Sequence, residues 1–142
     1  MAVSDILSTK GRDVVTAERK STIKTVADLL ASKKIGAIII VDSDEQVCGI
    51  VSERDVVREV SKKGADALDK PVSSCMTKDV VSCHDDESID SLMEKMTKGK
   101  FRHIPVINKG KLAGIISIGD VVKRKIELAE QEAEDMKRYI AG

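Results

Sequence analysis

The sequence contains the same unit twice, and this internal repeat constrains the fold more than any other feature of the chain. Residues 13–16 (Asp-Val-Val-Thr) match residues 79–82 (Asp-Val-Val-Ser), and residues 49–52 (Gly-Ile-Val-Ser) match residues 114–117 (Gly-Ile-Ile-Ser). Both copies then end on the same Asp-Val-Val triplet. A chain with this organisation is expected to fold into two similar halves.

The hydrophobic pattern changes in the same order within each copy. Residues 22–34 and 88–100 carry apolar side chains at helical spacing, which predicts two amphipathic helices. Residues 37–41 and 104–107 are short runs rich in β-branched residues, each followed by a turn and a second such run, which predicts two hairpins. Each copy is therefore expected to be strand, helix, strand, strand, helix. Pro105 cannot donate to a sheet ladder, so its strand should lie at an edge or carry a bulge.

The two copies are expected to pack together about an approximate twofold axis, because a half of about 65 residues is marginal alone. The predicted fold class is α+β, with two β-α-β-β-α repeats, a C-terminal helical extension, and pockets between the repeats. The predicted bounds are residues 5–62 for repeat one, 63–72 for the connection, 73–125 for repeat two and 126–142 for the C-terminal amphipathic helix.

Composition excludes several classes of function. The 142 residues are 42% hydrophobic and 34% charged, which is typical of a globular protein. Basic and acidic residues balance at 24 each, so no broad positive field attracts nucleic acid or anionic lipid. The N-terminus has no targeting pattern, and no window reaches the roughly 18 apolar residues of a membrane span. We therefore expect a cytoplasmic protein that binds neither nucleic acid nor membrane.

The cysteines and histidines do not form a recognisable reactive site. Cys48, Cys75 and Cys83 are odd in number and lack metal-ligand spacing, so we expect three reduced thiols. His84 lies in a charged stretch before a helix, and no second cluster completes a metal site. Because the sequence offers no set of nucleophile, base and orienting group, we expect no metal and no enzymatic activity.

The motif Gly-x-x-Ser-x-x-Asp occurs once in each copy, at residues 49–55 and 114–120, where a β run passes into a helix. One interpretation is structural: the Ser hydroxyl and the Asp carboxylate cap the helix start. The other is ligand binding, because a carboxylate on the first turn of a helix can accept both hydroxyls of a ribose. The two roles can coexist, and the presence of the motif in both copies favours a ligand site.

The repeat pattern, its length, the paired motif and residues 101–106 (Phe-Arg-His-Ile-Pro-Val) together resemble a tandem pair of cystathionine-β-synthase-type (CBS) domains, also called a Bateman module. The resemblance covers about residues 5–125. It implies binding of an adenosyl ligand such as AMP, ADP, ATP, NAD(H) or S-adenosylmethionine in clefts between the repeats, without catalysis. It also implies a homodimer, because two such pairs often associate into a disc.

The resemblance assigns residues to two clefts, which we name after the Asp of each motif. In each, the Asp would hold the ribose, the Ser would stand near the phosphate, and the base would lie against the other repeat. The residues expected at the Asp120 cleft are Asp120, Ser117, Arg102, His103, Ile104, Thr9, Lys10, Asp13, Val14 and Val15. Those expected at the Asp55 cleft are Asp55, Ser52, Arg54, Ala37, Ile38, Thr77, Lys78, Asp79, Val80 and Val81.

The two clefts are not expected to be equivalent. Repeat two has Arg102 and His103 where repeat one has Gly and Ala, so only the Asp120 cleft is predicted to carry a built-in cationic clamp for phosphate. The Asp120 cleft is therefore the stronger candidate. At the other cleft Arg54, together with Lys33 or Lys34, could compensate, or each could be a solvated surface charge.

The stretch after the second motif is predicted to be one long helix with a narrow apolar seam. Its apolar residues recur at alternating spacings of four and three, with acidic residues between them. They are Val122, Ile126, Ala129, Ala133, Met136 and Ile140. This seam could pack back on the chain's own core or cross to a second subunit, and both alternatives stay open.

The leading functional hypothesis is a stand-alone sensor that binds an adenine nucleotide between its repeats and passes a conformational change to an unidentified regulated protein. The alternative is a ligand-free scaffold or interaction dimer in which both motifs serve only as helix caps. Regulation through nucleic-acid binding is a third hypothesis, which the neutral net charge disfavours.

Overall fold

The computed structural model describes residues 1–141, which form an α+β fold in which each repeat contains a helix, a hairpin and a second helix, as predicted. In chain order these are α1 (Val3–Lys10), β1 (Thr16–Glu18), α2 (Ile23–Lys33), β2 (Ala37–Val41), β3 (Val47–Ser52), α3 (Glu53–Lys63), α4 (Ile89–Gly99), β4 (His103–Asn108), β5 (Lys111–Ser117) and α5 (Ile118–Ala141). Two short 3₁₀ helices, Gly64–Asp69 and Val72–Ser74, lie between α3 and α4. The predicted fold class is confirmed.

The first helix of each repeat has the bounds that the sequence predicts. α2 follows Thr22 and α4 follows Ser88, and each of these hydroxyl oxygens accepts a hydrogen bond from the backbone N–H three residues on. Both helices end on a lysine in the left-handed conformation, Lys34 with φ 54° and Lys100 with φ 56°. The caps are local features, so the sequence alone is enough to place them.

The strands form two separate small sheets. β1, β2 and β3 make a three-stranded sheet in which β1 is parallel to β2 and β2 is antiparallel to β3. β4 and β5 form an antiparallel pair. The expected first strand of repeat two is reduced to an isolated parallel bridge between Cys83 and Val106.

Pro105 explains this shortening. In repeat one the Ile39 N–H donates to the Val15 carbonyl over 3.3 Å, which extends the pairing of β1 with β2. Pro105 occupies the position of Ile39 in repeat two and has no N–H, so the corresponding bond cannot form. The bonds around Cys83 remain, with Cys83 N–H donating to Pro105 O at 3.0 Å and Ile107 N–H donating to Cys83 O at 2.8 Å.

The strand that contains Pro105 is both at an edge and bulged. β4 has one regular strand neighbour, and its register shifts between Val106 and Ile107. Because β2 shifts at the equivalent place, between Ile40 and Val41, the bulge belongs to the repeat and not to the proline.

Each repeat completes its core with the leading segment of the other repeat. The sequence did not predict α1, and its buried Val3, Ile6 and Leu7 pack in one cluster with Leu92 and the other core residues of repeat two. In the opposite direction, Val72 packs in the repeat-one core, with Val26 and Ile38 among its neighbours. The halves are therefore joined by exchanged segments, and the clefts between them are built from both.

Backbone hydrogen bonds fix these exchanged segments. The Val3 N–H donates to Glu87 O at 2.8 Å, just before α4. On the other side the Val72 N–H donates to Ser21 O at 2.7 Å, just before α2. In both cases the incoming segment therefore lies against the start of the first helix of the opposite repeat.

Only the beginning of α5 packs against the body of the protein. Val121 is buried in the repeat-two core, and Lys125 forms an ion pair with Asp90 at the start of α4. From Ala129 to Ala141 every residue is exposed. The alternative that the apolar seam packs back on its own core is therefore wrong for this part of the helix. No helix within residues 1–141 is long and apolar enough to cross a membrane.

Candidate functional site

The larger cavity between the repeats is the Asp55 cleft, with a volume of about 400 Å³. Repeat one contributes the start of β2, the end of β3 and the first turns of α3. Repeat two contributes the segments on either side of α4. The lining residues are Gly36, Ala37, Ile50, Ser52, Glu53, Arg54, Asp55, Arg58, Thr77, Asp79, Val80, Val81, Gly99, Lys100, Phe101, Arg102 and His103.

Asp55 caps its own helix in this cleft. Its Oδ2 accepts hydrogen bonds from the Ser52 N–H at 2.8 Å and the Ser52 hydroxyl at 3.1 Å, while the Asp55 N–H donates to Ser52 Oγ at 3.3 Å. The structural interpretation of the motif is therefore confirmed. Because capping uses Oδ2, the second oxygen is turned elsewhere, and Oδ1 lies 3.6 Å from the Arg58 guanidinium. The carboxylate thus keeps one oxygen for a further partner.

The wall opposite Asp55 comes from the segment that leads into repeat two. Thr77 pairs with Ile50 of β3 through two backbone bonds, of 2.9 and 3.0 Å, and this holds the segment across the end of the sheet. Val80 and Val81 follow and line the cavity, and Val81 is exposed. The cleft therefore has an apolar, backbone-rich wall facing a carboxylate, which is a surface on which a flat heterocycle can lie.

The Asp55 cleft also holds the two side chains that the sequence predicted would bind phosphate at the other cleft. Arg102 and His103 line it, together with Arg54, Arg58 and Lys100. The expectation that only the Asp120 cleft has a cationic clamp is corrected on this point. The reason is tertiary: the segments before β2 and β4 meet between the repeats, so side chains at the start of β4 reach the cavity beside Asp55.

The position of His103 depends on Gly36, which precedes β2 in repeat one. A Cβ on Gly36 would lie 3.0 Å from His103 Cε1, so the imidazole packs directly over the glycine. Burial lowers the pKa of His103, and the positive charge of Lys10 lowers it further. The imidazole is therefore neutral in the free protein near pH 7.

The Asp120 cleft is smaller, about 130 Å³, and its carboxylate already has a cationic partner. Asp120 Oδ2 accepts hydrogen bonds from the Ser117 N–H at 2.8 Å and from Lys10 Nζ at 2.6 Å. Burial opposes ionisation of this carboxyl, but the bonds from Lys10 and Ser117 outweigh it and hold the pKa of Asp120 below its ordinary value. Its lining residues are Ile6, Thr9, Lys10, Asp120, Lys123, Arg124 and Glu127.

The structure brings together most of the residues expected at the Asp55 cleft and fewer of those expected at the Asp120 cleft. At the first, Ile38 is instead buried in the repeat-one core and Lys78 is not part of the lining. At the second, Ile104 lies in the repeat-two core and Val15 packs against the repeat-one core. The remaining expected residues outside the lining of the Asp120 cleft are Asp13, Val14, Ser117, Arg102 and His103.

The sequence reasoning missed several residues of the clefts. Arg58 stands three residues after Asp55 on α3, so the helical period could have pointed to it. Lys100 and Phe101 line the Asp55 cleft from the end of α4 and carried no separate signal. Lys123 and Arg124 line the Asp120 cleft, but the sequence predicts them only as part of the long C-terminal helix. Among residues 1–141, no group of three or more His, Cys, Asp or Glu side chains is placed to hold a metal ion.

The fold and the paired clefts define a class of proteins built from two copies of one β-α-β-β-α unit that share the cavities between them. The family model for the CBS domain matches this chain twice, over residues 3–62 and 72–127. The chain therefore belongs to the CBS domain family and is a tandem pair of these domains.

Solved structures of the same family are similar along most of the chain. A CBS-domain containing protein from Agrobacterium tumefaciens is 51% identical, with a TM-score of 0.85, over 87% of this chain and 92% of that one. A CBS domain protein from Pyrobaculum aerophilum, solved in complex with AMP, is 30% identical, with a TM-score of 0.76, over 84% of this chain and 89% of that one. A CBS domain pair solved with 5′-methylthioadenosine and S-adenosyl-L-methionine is 26% identical, with a TM-score of 0.78, over 87% of this chain and 94% of that one.

Two curated relatives show how the matching region is used in chains of different length. A 17.7 kDa protein of Acidianus ambivalens is 33% identical over 140 residues, which cover 95% of this chain and 82% of that protein. A CBS domain-containing protein of Arabidopsis thaliana is 29% identical over 128 residues, and the match spans 24% of its length. The pair thus occurs both as most of a protein and as a minor part of one.

Proposed function

We propose that this chain is a non-catalytic sensor module that binds an adenosyl ligand, of the AMP, ATP or NAD(H) class, in the Asp55 cleft. One observation carries the proposal: the Asp55 carboxylate faces an apolar backbone wall and several cationic side chains across a cavity of about 400 Å³. Cavities that take small ligands measure roughly 300–1,000 Å³. Support also comes from the two related structures that hold AMP or S-adenosyl-L-methionine and 5′-methylthioadenosine.

Each part of such a ligand has a matching group in the cleft. The ribose hydroxyls would donate to the Asp55 oxygen that capping leaves free, displacing the weak contact with Arg58. The adenine would lie against Val80 and Val81. A phosphate would accept hydrogen bonds from Arg102, with Arg54 and Lys100 within the same lining.

The proposed response follows from the exchanged segments. A ligand that touches both repeats stabilises one relative arrangement of the halves over others, in proportion to its difference in affinity for them. We propose that a cytoplasmic regulated protein of unidentified class senses this arrangement. The Asp120 cleft is the second candidate site. It is the weaker candidate because its cavity is smaller and Lys10 forms an ion pair with its carboxylate.

The test is calorimetric titration and thermal unfolding with AMP, ATP, NADH and S-adenosylmethionine. We expect at least one of them to bind, and at 100 times its dissociation constant to add about 2.7 kcal/mol to the free energy of unfolding. Asp55→Asn keeps an acceptor for the Ser52 N–H but removes the charge, so it should weaken binding by tenfold or more without a large loss of stability. If no adenosyl compound shifts the unfolding temperature, the scaffold alternative replaces the sensor.

We also propose that the module is a homodimer in which α5 contributes to the interface. The apolar seam of α5 lies in solvent, with Ile126, Met136 and Ile140 exposed to 53%, 61% and 79%. Apolar residues at alternating spacings of three and four occupy the a and d positions of a coiled coil. A second copy of the same helix offers the matching seam.

The charges beside the seam favour a parallel pair. When the seam residues take positions a and d, Glu132 takes position g and Lys137 position e, which meet between parallel chains. An antiparallel pair that matches both Lys123 with Glu130 and Lys125 with Glu132 would need the last turn of one helix beside Ile118 of the other. Ile118 packs against the protein body, so this arrangement leaves less room for a partner helix.

A further inference from the structure

We infer that Lys10 is a built-in occupant of the Asp120 cleft, so that each chain binds one adenosyl ligand and keeps the second cleft closed. The inference deepens the proposed function and rests on it. The Lys10 side chain then determines that the Asp55 cleft, and not the Asp120 cleft, is available to the ligand.

The Lys10 ammonium binds the carboxylate at the centre of this cleft. Its Nζ lies 2.6 Å from Asp120 Oδ2 and 2.8 Å from the Ile115 carbonyl oxygen. Both side chains of the ion pair are partly shielded, with exposed fractions of 32% for Lys10 and 25% for Asp120. A charge-assisted hydrogen bond of this length is about twice as strong as a neutral one. The bonds from Ser117 and from Lys10 both go to Oδ2, so a ribose that bound Oδ1, as proposed for Asp55, would lie beside the ammonium and compete with the Lys10 side chain for space.

In the Asp55 cleft no lysine lies at the corresponding place, and the cationic contact of the carboxylate is the longer one of 3.6 Å with Arg58. There the carbonyl of Ile50, which corresponds to Ile115, accepts its hydrogen bond from the Thr77 backbone N–H at 2.9 Å. At the spacing that relates Asp13 to Asp79, the counterpart of Lys10 is Met76. A thioether cannot donate a hydrogen bond, so it cannot neutralise the carboxylate.

The conformation of the two leading segments causes this difference. Residues 75–77 run across β3 and satisfy its carbonyl with their own backbone. The first segment forms α1 instead, and the N–H of Gly11, the counterpart of Thr77, bonds to the Leu7 carbonyl of that helix, so the Ile115 carbonyl is left for the Lys10 side chain. The end of α1 also lines the cavity, which is about a third as large as the other one.

The inference predicts the number of sites per chain and how it changes with substitution. Titration of the full chain with AMP should give one site per chain. Lys10→Met copies the residue of the open cleft and should add a second, weaker site, with at least tenfold higher affinity there than any second site of the wild type. Lys10→Arg keeps the positive charge and should stay at one site. Lys10→Gln is a second neutral variant in case the methionine disturbs α1.

Further substitutions assign each site to its cleft. In the wild type, Asp120→Asn should leave AMP binding unchanged, whereas in Lys10→Met it should remove the added site. Asp55→Asn should remove the wild-type site and leave only the added one in Lys10→Met. ATP and S-adenosylmethionine are titrated in parallel, so that the count does not depend on one ligand.

The outcomes separate this inference from the proposed function. Two wild-type sites, one of them lost in Asp120→Asn, would overturn the role of Lys10 and leave adenosyl binding intact. So would a folded Lys10→Met or Lys10→Gln chain that still binds at one site. Absence of binding in all of these chains would instead overturn the proposed function itself.

Discussion

His103 shows how one residue acquires its properties from both repeats. Its imidazole packs over Gly36 and is neutral because burial and the charge of Lys10 lower its pKa. Asp120 and Glu53 act in the opposite direction, and Arg102 adds to the effect of Lys10. None of these neighbours is adjacent to His103 in sequence except Arg102, so the sequence offers no basis for predicting that its pKa is lowered.

The lowered pKa makes stability depend on pH in a defined direction. An unfolded histidine titrates near 6.5, whereas the folded one titrates lower, so the unfolded chain binds more protons between these values. The free energy of unfolding should therefore fall as the pH falls below about 6.5. The decrease should end once the pH is below the pKa of His103 in the folded chain. Chemical denaturation at several pH values measures this, and His103→Gln should give a flatter profile over that window. Equal slopes for the two chains would show that other groups cause the dependence.

The glycine that opens each motif is required by packing. A Cβ on Gly49 would lie 2.5 Å from Met76 Sδ and 3.1 Å from the Thr77 carbonyl oxygen. Gly49→Ala should therefore lower the free energy of unfolding by about 1–3 kcal/mol, as overpacking does, and loosen the pairing of Thr77 with β3. Gly119→Ala is the matched control, because its Cβ would meet only Ser117 Oγ at 3.6 Å. Denaturant titration compares the two, and equal stabilities would contradict the packing role.

At the scale of elements, the pattern of the chain predicted the helices and hairpins closely and the ends of the repeats less well. α2, α4 and β2 have the predicted bounds within a residue, because helical period, caps and turns are local. α1 was missed because only three of its eight residues are buried, and their partners lie in repeat two. The sequence predicted a full first strand for repeat two, but only an isolated bridge forms there. The cause lies on another strand, because Pro105 of β4 has no N–H to donate to it.

The outer half of α5 provides a test of the proposed dimer. Glu132→Lys or Lys137→Glu alone should weaken the dimer roughly tenfold, because each places like charges at positions g and e of a parallel pair. The double change should restore association. Glu134→Lys lies away from the seam and should have little effect. Sedimentation equilibrium measures the dissociation constants, and failure of the double change to rescue would rule out this parallel register.

At the scale of the whole molecule, the exchange of leading segments makes the two repeats one cooperative unit. Leu7 belongs to the first repeat in sequence but is buried in the core of the second. Leu7→Ala should therefore lower the free energy of unfolding of the whole chain by about 2–5 kcal/mol, in a single transition. Val57→Ala, at an exposed position of α3, should change it little. Two separate transitions in denaturant would show that the halves fold independently.

Cys83 is part of the repeat-two core, and Cys75 packs against the repeat-one core. Burial raises the pKa of the Cys83 thiol to about 12, and burial together with the charges of Asp55 and Glu59 raises that of Cys75 to about 11. Both thiols are therefore protonated at neutral pH, which suits packing and not nucleophilic chemistry.

By itself the sequence determined the duplication, the order of elements, the helix caps and the two motifs, because each depends on residues a few positions apart. It also marked Ser52, Asp55, Ser117 and Asp120 as the centres of two clefts. Tertiary structure decided which cations face which carboxylate. Lys10 and Asp120 are 110 residues apart, and their contact depends on how the end of α1 lies over β5. The position of α1 over β5 depends on packing between the repeats. The hydrophobic pattern within either copy does not specify that packing.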